Sequence, residues 1–330
     1  MKNLIFNLSD KMFLEIKDLS VDLGDFHLDH VDLNINEGEY VILIGPTGSG
    51  KSVLLETIIG FYHPETGSIK LEGKEIINTP PEKRNIGIVY QDHVLFPNMD
   101  VYDNIAYGLR RDKTLSNEEI HDKIMKMAKI MNIEHILHRD VLTISGGESQ
   151  RTALARALIV NPRIVLMDEP FSALDVTTRE KLTELIKKIG RENNTTFLHI
   201  THNFNEVWNL ADRVGVMKNG KLHQIGKIDD VFSRPQNEFV AEFVGVHNIF
   251  EGKVSELSNG TVKVKINEDI TINSADVKYT KIADQSNIGE EVRVIIRPEN
   301  IIFSNEPFKS SARNQFKIKV VKIDKKGPIV

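Results

Sequence analysis

An apolar run, Tyr40-Val41-Ile42-Leu43-Ile44, passes directly into Gly45-Pro46-Thr47-Gly48-Ser49-Gly50-Lys51-Ser52 and then into the helical pattern Val53-Leu54-Leu55-Glu56-Thr57-Ile58-Ile59. A strand, a glycine-rich turn and a helix in that order leave the chain few folds to choose from. The glycines let the backbone wrap tightly with its N–H groups pointing inward. The helix start adds the positive end of its dipole. Such a turn is a cradle for phosphate. At this spacing Lys51 reaches the β- and γ-phosphates of a nucleotide and the Ser52 hydroxyl offers a ligand to Mg²⁺. A plain glycine turn ahead of a core helix needs neither the lysine nor the hydroxyl.

The chain has 330 residues, room for one large domain and a smaller one. Its formal net charge of -5 gives no reason to expect a nucleic-acid-binding surface. With no cysteine, disulfides, thiolate zinc sites and cysteine nucleophiles are excluded. No stretch approaches the ~20 apolar residues of a membrane span. Residues 1–11 carry too short an apolar segment for a secretory leader and read as a loose extension. Any work at a membrane would then pass through a partner.

Strand-length apolar runs occur at Phe13–Ile16, Val31–Ile35, Tyr40–Ile44, Ser68–Leu71, Ile86–Tyr90, Ile164–Met167, Phe197–Ile200 and Val214–Met217. Helical patterns between several of them predict an α/β domain with a mainly parallel sheet, over residues 12–240. Residues of about 92–160 differ. Ser116 and Glu119 fit a capping box, and Ile120, Ile124, Met127, Ala128 and Met131 follow at helical spacing, so a helical subdomain is expected there. Asn219-Gly220 predicts a type I′ hairpin. From about 249 to 330 short alternating runs, at Gly252–Ser255, Thr261–Ile266, Val292–Ile296 and Phe316–Val320 with an Asn259-Gly260 turn, predict a small all-β, barrel-like accessory domain. A further strand is expected to begin at Gly327-Pro328-Ile329-Val330, which reads as a truncated barrel.

Two more segments carry chemistry. Ile164–Met167 ends in Asp168 and Glu169. Asp168 is suited to Mg²⁺, a hard cation that takes oxygen ligands, and Glu169 to polarising an attacking water near a γ-phosphate. Ser145-Gly146-Gly147-Glu148 opens the helix that runs through Leu158. A hydroxyl and two glycines at a helix start form a second anion site, or simply an N-capped helix with a glycine turn.

Together these segments resemble the ATP-binding subunit of ABC (ATP-binding cassette) transporters, over roughly residues 12–240. Gly45–Ser52 matches the Walker A loop, Gln91 the Q-loop glutamine, and Ser145–Glu148 the signature. Asp168 and Glu169 match the end of Walker B, Ser172-Ala173-Leu174-Asp175 the D-loop, and His202 the switch histidine. The resemblance implies an ATPase with ATP and Mg²⁺. Glu169, His202 and Gln91 would be catalytic, and Gly45, Pro46, Thr47, Gly48, Ser49, Gly50, Lys51 and Ser52 would bind the nucleotide. Ser52, Gln91 and Asp168 would attend the metal. It implies a homodimer in which Ser145, Gly146, Gly147 and Glu148 act in trans, with Ser172 and Asp175 in the D-loop. The segment from Leu95 to Leu109 would help receive a transmembrane permease subunit, and a substrate-binding protein would take part indirectly. The chain would lie peripherally on the cytoplasmic face of the cell membrane.

Three positions depart from the family pattern. Ile144 and Glu148 stand where leucine and glutamine are usual, and Leu23-Gly24 stands where an aromatic residue normally stacks on adenine. Phe26 is the nearest aromatic. Leu54–Phe61 and Val244–Val254 look like importers of molybdate or tungstate of the archaeal type. Ile296-Arg297-Pro298-Glu299-Asn300-Ile301 and Ser310-Ser311-Ala312-Arg313-Asn314-Gln315 resemble their oligobindin-like module. Sulfate, ferric-iron and polyamine importers share this layout. A soluble nucleic-acid- or ribosome-associated ATPase of the superfamily is the other class. A single cassette, no coiled-coil insertion and net acidity weigh against it.

Overall fold

The computed structural model describes residues 12–92, 94–245, 248–258, 261–275, 288–296, 301–306 and 312–321. In chain order the elements begin with β1 (Met12–Asp22), β2 (His27–Asn36), β3 (Tyr40–Ile44), α1 (Lys51–Ile59), β4 (Thr66–Leu71), β5 (Lys74–Glu75) and β6 (Gly87–Val89). Next come α2 (Val101–Leu109), α3 (Asn117–Met131), α4 (Gly146–Leu158), β7 (Ile164–Asp168), α5 (Val176–Asn193), β8 (Thr196–Ile200) and α6 (Phe204–Leu210). β9 (Arg213–Lys218), β10 (Lys221–Lys227), α7 (Ile228–Ser233) and α8 (Glu238–Phe243) follow, then β11 (Asn248–Ser258), β12 (Thr261–Lys265), β13 (Thr271–Ala275) and β14 (Glu291–Ile296). The chain divides into two units between Val240 and Ala241.

The first unit holds a six-stranded sheet in the order β10-β9-β3-β8-β7-β6. β9, β3, β8, β7 and β6 run parallel, and β10 returns antiparallel beside β9. Every residue of β3, β7 and β8 is buried, which is why these strands read as unbroken apolar runs. Asn219 and Gly220 both have positive φ, 49° and 75°, the type I′ geometry expected of that pair.

A second sheet, β2-β1-β4-β5, is antiparallel. The runs Phe13–Ile16, Val31–Ile35 and Ser68–Leu71, expected in a mainly parallel sheet, lie here instead. The reason is connectivity. Four residues separate β1 from β2, far too few for a parallel crossover, and β2 alternates buried and less buried positions as a one-sided strand does. Leu14, Ile16 and Leu33 of this sheet share one core with Leu43, Leu166 and Leu198 of the other and with Leu54 and Ile58 of α1.

Helices α2, α3 and α4 pack on one another. Ser116 and Glu119 form the expected capping box, and Ile120, Ile124, Ala128 and Met131 face inward, with Met127 half-buried. The buried Asn104 carboxamide on α2 accepts from Phe96 N and donates to Phe96, Met99 and Asp100 carbonyls, pinning the segment that leads into α2.

The second unit is an antiparallel sheet in the order β13-β12-β11-β14 around Val254, Val262, Val264, Ile272 and Val294. Among the described residues no ladder closes it into a barrel. Phe316–Val320, expected as a strand, is unpaired, with Phe316, Ile318 and Val320 exposed. Alternation alone does not make a strand: among the described residues the backbone of 316–320 joins no ladder. What joins the sheet nearby is a side chain. Asn314 accepts from Asn273 N (2.7 Å) and donates to Asn273 O (2.9 Å) on β13. The Asn259-Gly260 turn, Arg297–Asn300, Ser310-Ser311, residues 1–11 and the segment 327–330 lie outside the described residues.

Gly220 does more than turn a hairpin. Its N–H donates to Ser49 O, and its carbonyl accepts from Asp29 N, so one residue ties β2 to the loop after β3. A Cβ there would lie 1.9 Å from the His27 carbonyl oxygen. Gly73 has nearly the same φ, 77°, with nothing within 4 Å of a Cβ. Gly73→Ala is therefore expected to cost about 1 kcal/mol of left-handed strain, and Gly220→Ala about 3 kcal/mol or more. Urea denaturation midpoints of the two variants check this.

Candidate functional site

Strands β3, β8 and β7 end at one edge of the parallel sheet, with Leu43 opposite Ile200 and Asp168 opposite Ile200. The loop Gly45–Gly50 leaves that edge and enters α1. Close approach dictates its glycines. A Cβ at Gly45 (φ 157°) would meet the Met217 carbonyl at 2.2 Å, and one at Gly50 (φ 99°) would meet the Phe26 ring at 2.6 Å. Phe26 is thus packed against the underside of the loop and the adjoining core. Leu23, in the expected base-contact position, is 38% exposed. The Lys51 ammonium donates to Gly45 O (2.9 Å), Pro46 O (3.0 Å) and Ser49 Oγ (3.1 Å). Burial lowers its pKa, against the opposing pull of Glu169 and Asp168.

The Ser52 hydroxyl donates to Asp168 Oδ2 at 2.6 Å. A hydroxyl and a buried carboxylate at the end of β7, both oxygen donors, suit a hard divalent cation that keeps several waters. Tyr90 stands beside them, its hydroxyl pushed up to about 12 by burial and by the charges of Glu56 and Asp168, so it stays neutral. Glu169 adopts φ 47°, a left-handed conformation uncommon outside glycine, and its N–H donates to Ile200 O. The side chain turns away from Asp168. Glu169 Oε1 lies 2.8 Å from His202 Nδ1, and the Thr201 hydroxyl stands 3.4 Å from Oε2. A carboxylate only accepts, so Nδ1 carries the proton and Nε2 is left for a further partner. His202 is 76% exposed. An open cleft of about 450 Å³ lies here, lined by Glu169, Ser172, Arg179, His202, Asn203 and Glu206 among others.

Gln91 follows β6, whose Val89 pairs with Met167, so it emerges at the same sheet edge as the two carboxylates. Its side chain is exposed, and among the described residues it makes no hydrogen bond to Ser52 or Asp168.

Ser145 is the N-cap of α4 and forms a capping box with Glu148. Its N–H and its hydroxyl both donate to Glu148 Oε2, at 2.8 and 2.7 Å. His135 Nε2 lies 3.4 Å from the other oxygen, Oε1. Hydrogen bonds from Ser145, aided by His135 and the charge of Arg139, hold the Glu148 carboxyl below its ordinary range. Among the described residues no hydrogen bond or ion pair joins 145–148 to 45–52. The signature glycines neighbour Ala173 and Leu174 of the turn between Ser172 and Asp175. Asp175 caps α5 by accepting from Thr178 N, and hydrogen bonds from the Thr178 side chain and then its backbone lower its pKa.

Sequence reasoning missed several polar residues here. Gln150 is fully buried on α4 and donates to the Glu169 carbonyl at 3.4 Å. Buried Tyr40, His199 and Glu206 form a polar chain under the His202 loop that ends at the partly exposed Arg179. The available signals were a histidine inside the apolar run Phe197–Ile200 and a glutamate one helical turn past His202.

The sequence profile of the ABC transporter family matches residues 28–172. The chain is 42% identical over 317 residues to the molybdate/tungstate import ATP-binding protein WtpC of Pyrococcus abyssi, covering 96% of this chain and 87% of that protein. It is 44% identical over 309 residues to WtpC of Thermococcus kodakarensis, covering 94% and 88%. The spermidine/putrescine import ATP-binding protein PotA of Mesoplasma florum is 38% identical over 292 residues, covering 87% and 79%. Among solved structures, the dimeric post-hydrolysis state of the ATP-binding cassette MJ0796 bound to ADP and Pi superposes with a TM-score of 0.61 at 30% identity. It covers 65% of this chain and 98% of that one.

The depressed Glu148 carboxyl has a consequence for acid stability. Its contribution is present above the ordinary glutamate pKa of about 4.3 and disappears as pH falls through the lower folded-state value. Because the cap is near the surface, the amount is about 1 kcal/mol at most. Glu148→Gln should leave stability near pH 7 within about 0.5 kcal/mol of wild type while flattening the loss between pH 5 and about 3. Denaturant titrations at those pH values read the difference.

Proposed function

The chain belongs to the ABC transporter family of ATP-binding proteins, and from that premise we propose that it is the ATP-hydrolysing subunit of an importer for molybdate or tungstate. The observation that carries the ATPase assignment is the pairing of Ser52 with Asp168 beside the pairing of Glu169 with His202, both at the mouth of one phosphate loop. The cargo assignment is supported by the likeness to WtpC proteins along nearly the whole chain.

In this mechanism the loop amides of residues 45–52 and the α1 dipole bind the triphosphate. Lys51 gives up its loop acceptors for β- and γ-phosphate oxygens, which carry full charge and bind an ammonium more strongly. Ser52 and Asp168 would hold Mg²⁺, with Gln91 attending it, and the ion when bound would neutralise charge across the β- and γ-phosphates. Glu169 orients and polarises the attacking water. His202 steadies Glu169 through Nδ1 and directs Nε2 to the γ-phosphate. As water oxygen bonds to the γ-phosphorus, the bond to the β–γ bridging oxygen breaks and ADP leaves with that electron pair.

Ser145, Gly146, Gly147 and Glu148 make no bond to the phosphate loop of their own chain, which supports their acting on the nucleotide of a second copy in a homodimer. Ser172 and Asp175, in the turn beside the signature glycines, would lie at that seam. A transmembrane permease subunit is the proposed membrane partner. Val94, Tyr107 and Leu142, on the helical part, are exposed apolar residues suited to receive it. A substrate-binding protein would engage the permease and reach this subunit only through it. No helix of the described residues is long and apolar enough to cross a membrane, in keeping with a peripheral place on the cytoplasmic face.

Glu169→Gln is expected to lower ATP turnover by about a hundredfold or more while leaving nucleotide binding intact. The variant should accumulate as an ATP-dependent dimer, measured by light scattering. Wild type without turnover alongside its permease would overturn the ATPase assignment. For the cargo, uptake by the reconstituted transporter should depend on Lys51 and accept molybdate or tungstate. Uptake of spermidine instead would favour the PotA-like role.

A further inference from the structure

The His202 loop rests on a buried ionic network that the mechanism above does not use. Glu206, in the first turn of α6, is 5% exposed. A carboxylate buried this far is retained only when its oxygens are partnered. Oε1 accepts from Asn203 Nδ2 at 3.2 Å and lies 3.9 Å from Arg179 Nε. Oε2 lies 3.4 Å from Nε2 of the fully buried His199, whose Nδ1 meets the Tyr40 hydroxyl at 3.0 Å. Burial pushes the Glu206 carboxyl up, but bonds to His199 and Thr201 and the charges of His199 and Arg179 outweigh it and keep it ionised.

The partners of Glu206 lie on both sides of the reacting groups. Asn203 follows His202 directly, and its side chain is held at both ends: Oδ1 caps α6 by accepting from Asn205 N, and Nδ2 reaches Glu206. Thr201 precedes His202; its hydroxyl donates to Glu169 Oε2 at 3.4 Å and accepts from Asn203 N at 3.1 Å. Arg179 extends the network the other way, donating from Nη2 to the Leu174 carbonyl within the turn that carries Ser172 and Asp175. One buried carboxylate therefore holds the residue after His202, which in turn bonds Thr201 before it, and through one arginine reaches the turn beside the signature. Arg179 Nε is buried with no well-formed hydrogen bond, so its pairing with Glu206 is loose enough to tighten or part.

We propose that Glu206 is the positioning residue of the His202 loop, and that Arg179 couples that position to the Ser172–Asp175 turn. Glu169 and His202 hold their working geometry only while the contacts of Glu206 with Asn203 and Arg179 are kept. The proposal rests on the hydrolytic roles given above to Glu169 and His202.

The test is steady-state ATP hydrolysis by the full chain with its permease, read as separate kcat and KM, together with thermal melting. Glu206→Gln should lower kcat about tenfold or more, because a displaced water-positioning group is costly. KM for ATP should stay within about twofold, because the phosphate loop is untouched. Arg179→Met, at a partly exposed side chain, should show the same split, and Arg179→Lys should recover part of kcat. Should Glu206→Gln fail to fold, the two Arg179 variants decide. A kcat within about twofold of wild type in the folded variants overturns the proposal. So does a fall in kcat matched by a rise in KM and a lower melting temperature, since a merely structural role predicts that pattern. A wild-type chain without turnover is a different result and overturns the ATPase assignment before any variant is read.

Discussion

The site depends on the register of three parallel strands. Because Leu43 and Asp168 both pair with Ile200, the chain leaves β3, β7 and β8 at one edge, and the next residues of each strand meet there. In open α/β sheets that edge, at the carboxyl ends of the strands, is where ligands bind. Other contacts then fix the phosphate loop rather than create it. Gly45 lies against the Met217 carbonyl from β9, Gly50 against Phe26, and the Ser49 carbonyl accepts from Gly220 in the hairpin turn. The loop is clamped by backbone and apolar contacts around it, and within it the Ser49 N–H donates to Pro46 O at 3.2 Å. A slip of one residue in β7 would exchange the directions of Met167 and Asp168 and remove the carboxylate from Ser52.

Two adjacent carboxylates would repel if they shared one environment. Here the backbone separates them. Asp168 is the last residue of β7 and points at the Ser52 hydroxyl. Glu169 takes a left-handed conformation, bonds its N–H to Ile200 O and sends its side chain to His202. The strain of a non-glycine residue at φ 47° is of order 1 kcal/mol or more, and it persists because the surrounding bonds over-determine it. On the proposed reading that strain assigns one carboxylate to the metal and the other to the water.

Much of this was legible in the chain because local chemistry and tertiary structure agree. The loop after Ile44, the capping box at Ser116, the N-cap at Ser145 and the Asn219-Gly220 turn are each specified by a few consecutive residues. What was not legible depends on partners distant in sequence. Nothing local distinguishes Phe13–Ile16 from a parallel strand, and only the short connection to Val31–Ile35 places it in an antiparallel sheet. Phe316–Val320 has a strand's alternation but joins no ladder among the described residues. Phe26 reads as a free aromatic beside Leu23-Gly24, whereas its ring is committed to the floor beneath Gly50. His199 and Glu206 were passed over because a lone histidine in an apolar strand and a glutamate in a short helix each look ordinary. They stand out only once the fold sets them 3.4 Å apart.

The Glu148 substitution shows how the shared seam would work in this chain. A helix start that offers a serine hydroxyl and two glycine amides is built to receive an anion, yet α4 already carries one. The Ser145 hydroxyl proton is committed to Glu148 at 2.7 Å, so a phosphate arriving from a second copy must compete for it with a carboxylate. His135 offsets that charge from outside the helix, on the oxygen Ser145 does not use. A glutamine would offer the same cap without the repulsion. On the proposed reading, the glutamate would weaken the hold of α4 on a partner's nucleotide relative to the usual motif. Closure of a pair would, on the same reading, draw its free energy chiefly from the phosphate loop, whose Lys51 and helix dipole favour the anion. In the proposed homodimer, the two halves of the seam would be unequal in charge.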